Sequence, residues 1–457
     1  MTKCLHALRA TLVAGGLALL PGTALAQDAA DFAAKFAAAY AYSGYELSFG
    51  TGTAADGTIT YDGVTVALGG MGELLGSLAI PGPVVVEGVA AKADGGYTAT
   101  RMVLPDFAME MEGFGFSVED LVLEGIDLPA GPDISATEAM RLITGGGTGP
   151  ITITIEDAPP LTIAATRADI AVTDGADGPV FDTVSSLTGI AMDLSGIEGL
   201  ELEAGLAILG KTELTGRIDQ KASWSLATGR MDIPETAITI DGIGKFNLSL
   251  ELLGYTAAVL DRIAETQRTL AGVTDPEARA AEELAIGEEM LSAISLGHIA
   301  LRFEELGLID ALLGFSAEAQ GVSKEEAVDS LVLQLPVLLG SSGTVGDAAR
   351  LAEAADAFLR DPRSLELRVA FDPPFSFALL AAEETPETAP EGMTVTLSAN
   401  GLNPVPIDLE TLPVDEMLDM MMEDGGLEEQ LLEDDEAGEE TDQAPRSLPR
   451  PGADPRG

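Results

Sequence analysis

Nucleophilic catalysis in this chain would have to pass through one histidine. The sequence holds two, His6 and His298, and one cysteine, Cys4. His6 and Cys4 lie in a segment with the form of a signal peptide, so the mature chain is expected to keep only His298. His298 alternates with Leu296, Ala300 and Leu301 around an expected strand. That setting suits a structural imidazole better than a general base. No G-x-S-x-G elbow occurs, and Gly340-Ser341-Ser342-Gly343 has neither the spacing nor the strand–helix context. Without Cys4 there is no disulfide and no thiolate chemistry. Carboxylates are abundant, 75 Asp and Glu against 24 Lys and Arg, and that abundance singles out no glycosidase pair. Asp174-Gly175-Ala176-Asp177-Gly178 reads as a hairpin and lacks the EF-hand pattern. Gly50 to Ala55 leads into a hairpin, so no helix N-terminus is there to hold a phosphate. The sole tryptophan, Trp224, reads as a half-buried cross-strand anchor without aromatic neighbours. No catalytic residue, metal ligand or cofactor site is assigned.

The residues left to do chemistry are apolar. Met109 and Met111 fall at positions equivalent to Ile238 and Ile240 in a segment that occurs twice: RMVLPDFAMEMEGFG from Arg101 and RMDIPETAITIDGIG from Arg230. In Phe107-Ala108-Met109-Glu110-Met111-Glu112 the apolar residues alternate with Ala and Glu, the mark of a strand with one buried and one wet face. These four residues are the candidate lining of a trough for an apolar, lipid-like ligand, because methionine adapts to variable shapes.

The elements that must position them follow from period and punctuation. Residues 28–42 predict an Ala-rich helix with Phe32, Phe36 and Tyr40 on one side. Hairpin signals at Asp56-Gly57 and Asp62-Gly63 join short strands. The repeat predicts two copies of a β-meander, at about 62–125 and 188–254. Between them, Ser135 to Ile143 predicts a short helix, Thr144 to Pro150 a flexible loop, and Ile151 to Ile163 a hairpin. From Tyr255 the period changes to 3.6, with helices expected at 255–271, about 274–294, 308–319 and 347–360. Ser323 to Glu326 is a capping box opening a further helix that Pro336 should kink or end. Strands at 296–303, 365–371 and 393–398 are expected to extend the first sheet. The expected fold class is thus α+β: a long antiparallel β-meander with an internal duplication, followed by an amphipathic-helix-rich part. The expected organisation is signal peptide 1–26, β region 27–254, α+β region 255–411 with a Glu/Pro/Thr linker at 383–391, and a largely disordered acidic tail 412–457.

The N-terminus and the charge bear on place and partners. Lys3 and Arg9, an apolar run from Ala10 to Leu20 and Ala24-Leu25-Ala26 predict export, with cleavage after Ala26. The apolar run is shorter than the roughly 20 residues a membrane span needs. The mature chain is therefore expected in the periplasm or secreted, with no integral span. A net charge of −51 makes nucleic acid an improbable partner and leaves a lipid or an envelope protein. Few aromatics, 5% of residues, supply no girdles for an outer-membrane barrel.

The motifs DGVTVAL, YTATRMVLPDF and SWSLATGRMDIP, with LGHIALRFEELGLIDALL, FLRDPRSLELRVAF and MTVTLSANG further on, resemble a loose group of uncharacterised exported β-rich proteins of alphaproteobacteria. The long meander followed by helices is more distantly similar to AsmA-like envelope proteins. That resemblance implies a curved sheet with a greasy groove for lipid, although the N-terminal membrane anchor usual there is absent. It carries no functional residues. Three readings follow: a non-catalytic periplasmic protein binding an apolar ligand or envelope component, an exported scaffold without a small ligand, and a carboxylate- or metal-dependent hydrolase. Sequencing of the protein from envelope fractions is expected to begin at Gln27; an intact Met1 in the membrane pellet would overturn the export reading.

Overall fold

The computed structural model describes residues 28–68, 77–111, 113–156, 158–195, 208–270, 284, 286–287, 290–341, 348–381, 390 and 392–407. The expected signal peptide, most of the helix expected at 274–294, most of the expected 383–391 linker and the acidic tail fall outside them. The helices are α1 (Ala29–Ala41), α2 (Ala136–Met140), α3 (Ala257–Leu270), α4 (Leu308–Gln320), α5 (Lys324–Ser341), α6 (Ala348–Arg360) and α7 (Ala378–Ala381). The first strands are β1 (Tyr45–Ser48), β2 (Gly52–Ala55), β3 (Thr58–Asp62), β4 (Thr65–Leu68), β5 (Ser77–Ala79), β6 (Pro83–Glu87) and β7 (Ala90–Ala91). Then come β8 (Tyr97–Val103), β9 (Phe107–Met111), β10 (Phe114–Val118), β11 (Val122–Leu128), β12 (Gly145–Thr148), β13 (Ile151–Ile155), β14 (Ala158–Ile163) and β15 (Ala165–Gly175). The long strands follow: β16 (Gly178–Asp193), β17 (Glu213–Ser225), β18 (Arg230–Ile240), β19 (Gly244–Leu253), β20 (Ser295–Glu305), β21 (Ser364–Ser376), β22 (Met393–Ala399) and β23 (Val405–Ile407).

The fold is α+β, a long antiparallel meander with several helices in its C-terminal part. From β8 onward each pass of the chain pairs with the next. The early passes are broken in two: β8 pairs β11 while β9 pairs β10, and β12 pairs β15 while β13 pairs β14. Thus β8–β9, β10–β11, β12–β13 and β14–β15 act as bent double-length strands. β16 pairs both β14 and β15, and β17 to β23 follow one by one. On the other side β8 pairs β6, β6 pairs β3, and β3 pairs β2. Among the described residues no ladder joins β2 to β23. The series of ladders therefore has two ends, and the sheet is open rather than a closed barrel. The ladder between β19 and β20 joins the two sides of residue 255, from Gly244↔Glu305 to Leu253↔Ser295, with one register shift between Glu251 and Leu252.

The two similar segments pair identically at one end. Met102 faces Leu123 in the first and Met231 faces Leu252 in the second. Beyond that they diverge. The first breaks between Val103 and Phe107, whereas the second runs on through a bulge between Ile233 and Thr236. The bulge shifts the register by one residue, so Met111 pairs Phe114 but Ile240 pairs Gly244.

Helix α1 anchors the N-terminal end. Asp28 caps it by accepting from the Ala30 and Asp31 N–H groups. Its Phe32 and Phe36 are buried against Ile59, Val84, Val86 and Leu123. Tyr61 Oη donates to Ala29 O at 2.6 Å, tying β3 to the helix start.

One expectation is corrected and one is narrowed. Residues 145–148 form a strand, β12, not a loop, because glycine lets three backbones lie close together. A Cβ at Gly147 would sit 2.4 Å from Thr166 O, and one at Gly146 2.9 Å from Val122 O. Of the two outcomes expected at Pro336, a kink or an end, the end does not occur: helix α5 continues to Ser341. One missing N–H is outweighed where the helix is packed between α4 and α6. Gly147→Ala is expected to lower the thermal midpoint, costing about 1–3 kcal/mol by overpacking. Gly131→Ala, with open space around it, should change the midpoint little; equal midpoints for both would refute the close-packed strand.

Candidate functional site

Residues directly opposite in a ladder share a face, so the registers sort every side chain of the long strands. Leu187, Ile218, Ile238, Phe246, Phe303 and Leu365 form one row across β16 to β21. Beside it run Thr236, Leu248, Leu301, Leu367 and Leu397. From β15 to β22 this face carries no charged side chain except Asp174 and Glu305, both at strand tips. Glu305 is occupied there: its carboxylate accepts from the Gly307 and Ile309 N–H groups at the start of α4.

The opposite face holds the ions. Arg217 pairs Asp219 at 3.0 Å, Arg230 pairs Glu251 at 3.0 Å, and Arg302 pairs Glu304 at 2.9 Å. Glu235 accepts from Lys221 and, at 2.8 Å, from Lys245. These two hydrogen bonds hold its carboxyl far below the usual range, at about 2. His298 is on this face too, half-buried, with Nδ1 3.4 Å from Glu251 Oε2. The imidazole thus stands beside the Glu251 carboxylate and lies away from the apolar face.

Helices cover the apolar face in three places. Helix α1 covers the N-terminal strands. Helix α3 covers Phe181 and Trp224 near the hairpin tips. Helix α6 lays Leu351, Ala354 and Phe358 against Leu365, Ala399 and Val405. Val118, Ile151, Ile153 and Ile163 on this face are buried in a cluster of their own, but among the described residues part of the face stands open: Leu301 is 52% exposed, Ile238 46% and Leu367 42%. Where β11 to β17 cross, the face dips into a cavity of about 190 Å³. Small side chains make its floor, since Leu123, Gly146, Ala168, Ser185 and Gln220 share one row.

The four candidate lining residues lie on this same apolar face but not in one pocket. Met109 pairs Phe116, which continues through Ile153 and Leu161 to Met192. Ile238 and Ile240 stand on β18, six strand spacings or about 29 Å from β9. Met111 is 38% exposed, and Met109 and Ile240 are half-buried. The cavity floor went unrecognised in the sequence because its signal, TGGGTG, reads as a loop. Trp224 is more deeply held than its half-buried expectation. It is 9% exposed, stacks on Tyr255 at 4.9 Å, and its Nε1 donates to Tyr255 O at 2.8 Å. The indole is therefore spent on packing and is not presented to a sugar.

A family model described only as "Uncharacterized protein" matches residues 237–400. That span starts within β18, ends just past β22, and contains the uncovered strip and helices α4 to α6. No curated protein matches the chain. No helix among the described residues is long and apolar enough to cross a membrane.

The depressed pKa of Glu235 gives a signed expectation. Its pairing stabilises the fold fully above the unfolded carboxyl value of about 4.3, and the gain is lost as pH falls toward 2. Glu235→Gln should therefore flatten the stability profile between those limits and lower stability at neutral pH. Chemical denaturation at several pH values checks this; parallel profiles for the two proteins would exclude the assignment.

Proposed function

We propose that this is a non-catalytic, exported envelope protein that holds the acyl chains of a lipid along the uncharged face of its sheet. One observation carries the reading. In a chain of net charge −51, the charged side chains of β15 to β22, Asp174 and Glu305 at the strand tips apart, lie on one face while Ile238, Leu301 and Leu367 stand half-exposed on the other. Leaving such side chains partly wet forfeits roughly 1 kcal/mol or more each, at about 25 cal/mol per Å². An acyl chain laid along the face recovers that, and the small-residue cavity at Gly146, Ala168 and Ser185 gives it depth. Arg167, the one cation among the cavity's lining residues, is already paired with Glu124 and Asp169, so the bound part is the hydrocarbon and the headgroup stays at the rim.

A hydrolase would need carboxylates beside its substrate, whereas here the apolar strip and the paired carboxylates lie on opposite faces. A protein-docking role is the second reading. It draws on Phe315 and Leu333, exposed to 54% and 80% on α4 and α5. The signal-like N-terminus supports the export part of this reading, with release after Ala26 into the periplasm or outside the cell. A long open meander followed by helices is the architecture that the likeness to AsmA-like envelope proteins implies.

Native mass spectrometry of the protein purified from its own periplasm tests this. The parent protein is expected to carry acyl species, and Ile238→Glu/Leu301→Glu is expected to lose them while keeping its circular dichroism. A folded parent protein free of any acyl species, which also fails to take up dispersed lipid, leaves the docking role in front.

A further inference from the structure

We propose that Gln220, with Thr183, Ser185 and Thr236 beside it, selects the linkage of the bound lipid: a neutral ester with hydrocarbon on both sides, as in a diacylglycerol. One acyl chain lies in the cavity and the other on the open part of the face. The inference rests on the lipid reading above and adds the residue that discriminates among lipids.

One row of the apolar face is interrupted. It begins with Leu123, Gly146 and Ala168, all lining the cavity. At β16 to β18 it passes through Ser185, Gln220 and Thr236. From β19 it is apolar again, with Leu248, Leu301 and Leu367. Thr183 stands two residues from Ser185 on the same face and lines the cavity too. The parallel row at Leu187, Ile218 and Ile238 has no such break. The four polar residues therefore form an uncharged island between two apolar stretches.

Plain hydrocarbon does not suit this island. A chain laid over it would take water from its N–H and O–H groups and give them no partner, at a cost comparable to a lost hydrogen bond each. The island's own bonds are long. Ser185 Oγ donates to Gln220 Oε1 at 3.4 Å, and Gln220 Nε2 donates to Thr236 Oγ1 at 3.5 Å. Gln220 has a second N–H, and neither it nor the Thr183 and Thr236 hydroxyls find an acceptor among the described residues. Ester carbonyls supply acceptors without adding charge. A carboxylate fits worse, because Arg167 beside the cavity is already paired with Glu124 and Asp169.

The spacing suits two chains that meet at Gln220. At about 4.8 Å per strand, Leu123 lies roughly 19 Å to one side and Leu301 roughly 14 Å to the other. An eight-carbon chain is shorter than about 12 Å at about 1.5 Å per bond, so either stretch holds one. Gln220 is exposed and stands at the border of the cavity. The linkage can thus reach it while the headgroup stays in water.

The full chain as purified, stripped of lipid, tests this in titrations with 1,2-dioctanoylglycerol and with its 1,2-dioctyl ether. The two lipids share a shape, and only the ester carries carbonyls. The parent protein is expected to bind the ester about tenfold more tightly, the effect of about one neutral hydrogen bond. In Gln220→Leu and in Gln220→Glu, each with parent-like circular dichroism, the two lipids are expected to bind alike. The ratio of the two affinities is the readout, so a general change in apolar binding does not imitate the result. Equal affinities in the parent overturn the linkage inference and leave the lipid reading standing. An ester preference that survives in both variants overturns the role of Gln220. Folded parent protein that binds neither lipid overturns the lipid reading, and this inference with it.

Discussion

The structure depends on register. In a sheet where each strand pairs its neighbour in sequence, one slipped residue turns every later side chain to the wrong face. Here a slip would set the ion pairs of Arg217, Arg230 and Arg302 against helices α3 and α6. It would also present Leu301 and Leu367 on the charged side. The chain keeps its faces by absorbing its own changes of parity. In β16 the apolar positions switch from odd, at Phe181 and Leu187, to even, at Ile190 and Met192, and the bulge falls between Leu187 and Ile190, at Gly189 with φ +62°. In β18 the switch from Met231 and Ile233 to Ile238 and Ile240 coincides with the bulge at Pro234-Glu235. In β20, Gly297 separates Leu296 from Ile299 in the same way.

Segregated faces set what can cover the sheet. The charged face is satisfied by its own ion pairs, within strands as at Arg217–Asp219 and Arg302–Glu304 and across them as at Arg230–Glu251, and exposed pairs of that kind add little stability. Their effect is exclusion, since an ion-covered face will not accept a helix or an acyl chain. The apolar face must therefore take all the covering. Helices α1, α3 and α6 are inserted between strands or ahead of them, and each reaches only the strands near its own insertion. A long meander with helices spaced so far apart has more apolar face than helix to put on it. The uncovered strip follows from topology rather than from any single residue.

The cavity arises from a different cause. Between β11 and β17 the apolar face loses bulk because Gly146, Ala168 and Ser185 fall in one row. Glycine there serves backbone approach and depth at once: a side chain at 146 or 147 would strike Val122 or Thr166. The same residues that let β12 pair closely with β11 and β15 thus hollow the face.

Much of the fold was legible in the residues. Alternation gave the strands expected at Phe107 to Glu112 and Leu296 to Phe303, and the capping box at Ser323 to Glu326 gave a helix start, because these signals act within a turn or two of the chain. The common face of Met109, Met111, Ile238 and Ile240 was readable for the same reason. Their separation by about 29 Å was not, since it depends on how many strands intervene in the sheet. TGGGTG misled because glycine signals a loop by local propensity, and only neighbouring backbones turn it into a strand. Trp224 looked solitary because Tyr255 reaches it across the tip of the sheet. By itself the sequence determined which residues could be apolar, charged or turn-forming, as those are local properties. Tertiary structure alone decided which rows were assembled and which part of the apolar face stayed uncovered, since both depend on contacts between residues far apart in the chain.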